Sequence, residues 1–208
     1  MDSTLISRKR EMDAFKRKIF RIDPAFAGPM KKLPPCTFGF EKSAYTNYQA
    51  LVRAVIAQQV SVAAAGTIGA RLRAMCQGSI TPSKVGALSM EELQSIGLTS
   101  AKVRSIYEIT QATLSGKLKL KRFVHMDDEE IISELIALVG IGRWTAEMLL
   151  IFQLGRLDVW PIDDLAVRRG WDAIHKNTEP IKARDLDRFG DPFVGMRSVV
   201  AWYCWRAS

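Results

Sequence analysis

Residues that build metal clusters and disulfide frameworks are scarce in this chain. Of 208 residues, three are cysteine (Cys36, Cys76 and Cys204) and two are histidine. The cysteines lie far apart and form no Cys-x-x-Cys pair, so the sequence supports neither a zinc site nor a four-cysteine iron–sulfur cluster. An odd number of dispersed cysteines is typical of a protein from a reducing compartment.

Signals for membranes and for secretion are missing too. No run of about 18 apolar residues occurs, so no membrane span is expected. The opening residues 1–4 lack the apolar core of a signal peptide. No segment shows the sustained alternation of a β-strand, and there is no low-complexity tract. The sequence therefore predicts an all-α fold.

Apolar residues at three- and four-residue spacing dominate what is present. They predict a first helix around Phe15 and Ile19, then a long loop between Pro24 and Pro35. Further helices are predicted over about residues 45–75, 100–114, 143–152 and 195–206. Polar or acidic residues that favour helix starts stand at Thr81, Ser89 and Asp127.

The charge of the chain has one sign in excess. Lysine and arginine total 30 against 22 acidic residues, a formal net charge of +8. This excess favours a polyanionic partner such as nucleic acid, although a merely basic protein would have the same balance.

A short stretch carries most of the chemical information. Residues 138–146 read Leu-Val-Gly-Ile-Gly-Arg-Trp-Thr-Ala, and after an apolar run come Asp163 and Asp164. Gly140 and Gly142 permit positive φ and close backbone approach, and the free N–H groups of a following helix can hold a phosphate. A carboxylate beyond the turn can stabilise a cation, or it can simply cap the helix that begins near Leu165.

This stretch resembles the helix-hairpin-helix motif of DNA repair glycosylases, in which a catalytic aspartate follows the hairpin by about twenty residues. Residues 51–63 in addition resemble a helix of the 3-methyladenine DNA glycosylase II (AlkA-type) branch. The resemblance covers about residues 45–205. It implies one glycosylase domain over 1–208 with two helical lobes, a cleft between them, and residues 1–42 packed on the C-terminal lobe.

The resemblance assigns the catalytic role to Asp164 and leaves Asp163 as a local cap or a structural partner. Bifunctional glycosylase/lyases of the superfamily carry a Schiff-base lysine where this chain has Trp144. A monofunctional enzyme that leaves an abasic site and an intact strand is therefore expected. The pocket for a cationic alkylated purine is assigned to Trp144, Met148, Trp205 and Val62. Ordinary core positions remain the alternative for the tryptophans and for Val62.

DNA contacts follow from the same resemblance. A flipped base leaves a gap, and Gln59, preceded by Gln58, is the expected wedge; the alternative is that both glutamines tie helix ends together. Backbone contacts are expected from the residues of the hairpin and of an earlier turn, namely Gly140, Gly142, Arg143, Thr145, Thr99 and Lys102. Arg143 and Lys102 have the alternative of being ordinary solvated charges at the surface. No cofactor is required, but a structural Na⁺ or K⁺ is expected on the carbonyls of Ile136, Leu138 and Ile141.

The sequence thus predicts an alkylpurine DNA glycosylase of base excision repair that acts as a monomer on damaged double-stranded DNA. It is expected in the cytoplasm of a bacterium or the nucleus of a eukaryote. A same-fold glycosylase for deaminated or mismatched bases, a non-catalytic DNA-binding module and a helical adaptor remain alternatives.

Overall fold

The computed structural model describes residues 3–39 and 43–208, with side chains described from residue 7 onward. Within these ranges every regular element is a helix, which confirms the predicted all-α fold. None of these helices combines the length and the apolar character needed to cross a membrane. The chain divides into two compact units, one of residues 43–149 and the other of residues 1–42 with 150–208. The expected lobe boundary near residue 42 lies outside the described residues.

The α-helices of the described residues are joined by turns and loops of different lengths. In chain order they are α1 (Ser3–Ile22), α2 (Ala27–Lys32), α3 (Asn47–Ala57), α4 (Val62–Met75), α5 (Pro82–Gly86), α6 (Met90–Ser95), α7 (Ser100–Leu114), α8 (Asp128–Ile136), α9 (Arg143–Met148), α10 (Leu165–His175), α11 (Ala183–Gly190) and α12 (Arg197–Ala207). Short 3₁₀ turns lie at Pro24–Phe26, Leu120–His125 and Asp191–Phe193, and a π-helical turn covers Leu149–Gln153.

Local capping explains where several helices of the 43–149 unit begin. Ser89 and Asp127 each form a capping box with the glutamate three residues on, which satisfies two otherwise unpaired backbone N–H groups. Thr81 and Thr99 accept a hydrogen bond from the N3 amide of α5 and α7 respectively. The predicted starts at Thr81, Ser89 and Asp127 are confirmed.

The helical pattern predicted over about residues 45–75 forms two helices, with a turn between them at the position of the expected wedge. Helix α3 ends at Ala57, and α4 begins after Ser61, whose side chain accepts from the amide of Ala64. Between them Gln59 adopts a left-handed conformation with φ +53°. Val60, Val62 and Ala63 continue the apolar spacing through this turn although they are exposed, so spacing alone does not reveal the break.

The proline-rich segment after α1 also differs from the prediction. A long loop was expected, but Pro24–Phe26 forms a 3₁₀ turn and α2 follows directly. Pro29 lies in the first turn of α2, where its missing N–H breaks no intrahelical bond. Phe26 is fully buried in the core of the 1–42 and 150–208 unit, edge-on against Trp171 and Phe193.

Close contact between α10 and α12 organises this second unit. A Cβ atom on Gly170 would lie 1.8 Å from the carbonyl oxygen of Cys204, so only glycine allows the two backbones to approach so closely. This packing brings the start of α10 beside the last turn of α12, and that is where the candidate carboxylate lies.

Candidate functional site

The hairpin of the 43–149 unit is a turn between α8 and α9. The amide of Leu138 donates to Leu135, the amide of Ile141 donates to Leu138, and Gly142 is the N-cap of α9. Gly140 adopts φ +75°, as a left-handed turn residue must. Gly142 instead has φ −92°, so the positive φ that the sequence permits there is not used.

Gly140 is required by its surroundings as well as by its backbone. A Cβ atom there would lie 2.0 Å from the hydroxyl oxygen of Ser105 on α7, whereas a Cβ atom on Gly142 would meet nothing within 4 Å. The hairpin backbone therefore rests directly on α7. Sequence reasoning missed Ser105, because no motif marks a small side chain buried beneath a turn.

A side chain from the α3–α4 turn ties that turn to the hairpin. The amide nitrogen of Gln58 donates to Thr145 Oγ1 at 2.9 Å and to the carbonyl of Gly140 at 3.3 Å. Thr145 is 1 % exposed. Its side chain is therefore turned into the unit, so the expected direct phosphate contact does not fit this position. Gln58 is bound on the hairpin side, while Gln59 is exposed.

Lys102, the other expected phosphate contact on α7, is also turned inward. It is 9 % exposed and its ammonium donates to the carbonyl of Ile56 at 2.8 Å. Burial lowers the pKa of this lysine from its ordinary value. Contact with phosphate would require the amine to leave this carbonyl, so direct contact is not what this geometry provides. Thr99, the cap of α7, is exposed.

Arg143, at the start of α9, is engaged by two carboxylates. Both terminal nitrogens of its guanidinium donate hydrogen bonds to Glu129, and its Nε donates one to Glu147 at 3.2 Å. Hydrogen bonding to Arg143 lowers the pKa of Glu129, and the same bonds raise that of Arg143. Half of the arginine side chain is still exposed, so it presents a partly neutralised cation beside the hairpin.

Two predicted pocket residues lie one helical turn apart on α9. Trp144 is half-buried and Met148 is 9 % exposed. Residues four apart share a helix face, so the indole and the thioether can line one surface. Val62 is 91 % exposed, which makes the alternative of an ordinary core valine wrong.

The carboxylate of Asp164 lies in the other unit and is held by two donors. It is the N-cap of α10, where Oδ1 accepts the amide of Val167 at 2.9 Å. The same oxygen accepts the indole N–H of Trp205 at 3.1 Å. Asp164 is 8 % exposed, whereas Asp163 is exposed in the preceding turn. A cap role for Asp163 on α10 was therefore wrong, since Asp164 itself caps the helix, and the alternative role as a structural partner stays a prediction.

Trp205 stands apart from the other aromatic residues of α12. Trp202 and Tyr203 are 1 % and 2 % exposed, and they are core residues, whereas Trp205 is half-buried. The centroid of its ring lies 5.3 Å from the ring centroid of Phe152 and 6.3 Å from that of Phe38. Sequence reasoning missed both phenylalanines, because Phe152 ends an apolar run and Phe38 stands in a loop without periodicity.

The described residues offer neither a side-chain cluster for a metal ion nor a reactive thiol. Among the described residues, no group of three histidine, cysteine, aspartate or glutamate side chains could hold a metal ion. The three cysteines are buried and free, and burial raises the pKa of the Cys36 thiol to about 12. A thiol that stays protonated is a poor nucleophile.

One family model matches a range of the sequence that includes both the hairpin and Asp164. The sequence model for "HhH-GPD superfamily base excision DNA repair protein" matches residues 52–189. The chain belongs to the HhH-GPD superfamily. This confirms the resemblance drawn from the hairpin and from Asp164.

Individual HhH-GPD relatives extend the match over most of the chain. It is 36% identical over 165 residues to DNA-3-methyladenine glycosylase 1 of Schizosaccharomyces pombe, covering 77% of this chain and 72% of that protein. The solved complex of the 3-methyladenine DNA glycosylase Mag1 from the same yeast with abasic DNA superposes with a TM-score of 0.85 at 29% identity, covering 93% and 95%. A DNA-3-methyladenine glycosidase from Bacillus halodurans superposes with a TM-score of 0.78 at 27% identity, covering 93% and 88%.

Proposed function

We propose that this chain is a monofunctional DNA glycosylase of base excision repair that excises alkylated purines and leaves an abasic site. The observation that carries the proposal is the carboxylate of Asp164, oriented by the start of α10 and by the indole of Trp205. The relatives named 3-methyladenine glycosylases support the choice of substrate class.

The reaction breaks the bond between the base and C1′ of deoxyribose. The leaving base takes the electron pair of that bond, and the sugar develops oxocarbenium character. The carboxylate of Asp164 stabilises this positive charge and orients the water that attacks C1′. An N3- or N7-alkylated purine already carries a positive charge, so it departs as a neutral base.

The side chains on α9 decide the reaction subtype and the substrate. Trp144 stands where lyase members of the superfamily carry lysine, so no amine is placed to form a Schiff base. The indole attracts a cationic purine by stacking and by cation–π interaction. Met148 provides polarisable apolar side-chain atoms, and Val62, which is strongly exposed at the start of α4, is the further apolar residue proposed for the pocket.

The exposed Gln59 is proposed as the wedge that replaces the flipped base. Gln59 is exposed and left-handed in the turn between α3 and α4, while Gln58 is tied to the hairpin. The glutamine side chain fills the gap and can form hydrogen bonds with the orphaned partner base.

Contacts to the DNA backbone are proposed at exposed positions around the two turns, namely Gly140, Gly142, Arg143 and Thr99. A monovalent cation on the carbonyls of Ile136, Leu138 and Ile141 would bridge the hairpin to a phosphate. Main-chain oxygens suit such an ion, and the carbonyl of Leu138, which already accepts one amide, has a second lone pair to offer. We also propose that the protein acts as a monomer, in the cytoplasm or the nucleus.

The decisive experiment measures base release from alkylated duplex DNA. Asp164→Asn keeps a good helix cap and removes the charge, so we expect a folded protein with base release lowered at least a hundredfold. Asp163→Asn makes the same chemical change one residue earlier and should keep its activity. Oligonucleotides with hypoxanthine, uracil or a mismatch test the alternative substrates in the same assay.

Two outcomes overturn the proposal at different levels. Full activity of Asp164→Asn removes the assignment of the catalytic carboxylate. If the wild-type protein releases no base from any damaged duplex but binds DNA with a steep salt dependence, it is a non-catalytic binding module.

A further inference from the structure

Lys102 occupies an energetically unfavourable place for a lysine. It lies in the first turn of α7, where the partial positive charge of the helix dipole repels a cation. It is also buried at 9 % exposure, and the resulting desolvation lowers its pKa. In the part of the chain that the structure describes, no carboxylate lies within salt-bridge distance of its amine. The stability of α7 therefore does not explain this lysine.

The partner of Lys102 lies at the end of a different helix. Its amine donates at 2.8 Å to the carbonyl of Ile56, the last residue but one of α3. Carbonyls in the last turn of a helix have no intrahelical partner, and a cation there is favoured by the dipole. Lys102, on the neighbouring helix α7, thus caps the C-terminus of α3.

The turn that follows the C-terminus of α3 has a strained backbone. Gln58 leaves the helix, and Gln59 adopts φ +53°, a left-handed region that is unfavourable for a residue with a side chain. Such a conformation persists where its surroundings fix it. Here the turn is fixed on both sides, by Lys102 at Ile56 and by the bonds of Gln58 to Thr145 and Gly140.

We propose that Lys102 is a positioning residue, which holds the carbonyl of Ile56 so that the strained α3–α4 turn keeps Gln59 in place to enter the DNA stack. This inference rests on the proposed glycosylase function. It makes base flipping depend on a buried cation that never touches DNA. Gln58 performs the matching task from the hairpin side.

The test is a double-mutant cycle of Lys102→Met with Gln59→Ala. Two readouts are used: single-turnover release of 7-methylguanine from duplex DNA, and the fluorescence of 2-aminopurine placed opposite an abasic-site analogue. The second readout reports insertion into the stack without any chemistry. Should Lys102→Met fail to fold, Lys102→Gln takes its place, with a neutral and shorter donor.

We expect Lys102→Met to lower base release about tenfold and to reduce the fluorescence change. In the Gln59→Ala background, Lys102→Met should lower base release by less than about a further twofold. Lys102→Arg, which keeps a cation, should restore part of both signals. The salt dependence of binding to undamaged duplex should stay as in the wild type, because a buried amine releases no counterion.

Arg104→Met is the matched control, since it removes an exposed charge two residues further along α7. At saturating protein it should give the wild-type fluorescence change. Additive losses in the cycle, an unchanged Lys102→Met protein, or a weaker salt dependence in that variant would each overturn the proposal. Wild-type protein that releases no base but shows the expected fluorescence pattern instead contradicts only the proposed enzymatic function.

Discussion

Asp164 combines an observed structural task with the chemical task that is proposed for it. Its Oδ1 caps α10 and accepts the indole N–H of Trp205. A carboxylate fixed by two donors loses little entropy when charge develops on the sugar, and this is how a preorganised site lowers a barrier. The same bonds make the position sensitive to changes in its neighbours.

Replacing Trp205 by phenylalanine separates the hydrogen bond from the ring. The phenyl ring can still pack on Phe152 and Phe38, but it has no N–H for Asp164. A hydrogen bond to a charged group contributes roughly 1.5–3 kcal/mol, so we expect single-turnover base release to fall by about tenfold or more. In the Asp164→Asn background the same change should have little further effect. A Trp205→Phe protein with the wild-type rate would show that the indole N–H does not matter.

At the scale of the single residue, the sequence indicated Asp164 and Trp205 but not their contact. The two residues are 41 positions apart, and no spacing rule relates them. For Lys102 the sequence was misleading, because a lysine after a glycine turn is expected at the surface. Burial depends on which helix packs over it, and a single sequence does not give that information.

The hairpin element allows a test with two glycines of the same motif. Gly140→Ala meets a left-handed backbone and the hydroxyl of Ser105, so it should lower the free energy of unfolding by about 2–4 kcal/mol. Gly142→Ala has ordinary φ and open space, so its loss should stay below about 1 kcal/mol. Urea unfolding measures both. Equal destabilisation of the two variants would contradict this account of the turn.

The α10–α12 contact gives a second test at the scale of elements. A methyl group on Gly170 would collide with a backbone carbonyl, which cannot rotate away, so Gly170→Ala should cost about 3 kcal/mol or more. Gly69→Ala, in the interior of α4 with nothing within 4 Å, should stabilise the protein by about 0.5–1 kcal/mol. If Gly170→Ala is as stable as the wild type, the close helix contact is wrong.

Helix boundaries were predictable where short-range signals mark them. The prediction for α7 was correct at both ends, because a threonine cap and a glycine turn precede it. Short-range signals do not mark the end of α3, because a glutamine, not a glycine, takes the left-handed position. Helix α11 was not predicted, since its apolar residues are too few to set a period.

For the whole molecule, the burial of the three thiols makes the stability of the fold depend on pH. Burial raises the pKa of Cys36 from 9.0 to about 12, and it raises those of Cys76 and Cys204 as well. The folded protein therefore holds thiol protons that the unfolded chain releases. The stability that this provides is complete below about pH 9 and is lost as the pH rises from there towards 12.

We therefore expect the wild-type urea midpoint to fall between pH 9 and 11 more than that of Cys36→Ala, which lacks this titration. Below pH 9 the difference between the two proteins should be constant. Thiol reagents at pH 8 should label the native protein slowly and the unfolded protein fast. Rapid labelling of the native state would contradict the burial of the three thiols.

The double duty of Asp164 has a genetic consequence. Asparagine caps helices as well as aspartate does, and one nucleotide separates their codons. On the proposed function, we therefore expect a single base change at this position to give a stable protein that still finds and extrudes damaged bases but no longer removes them. Such an allele would shield lesions from other repair proteins, and its carrier would be more sensitive to alkylating agents than a strain in which the gene is deleted.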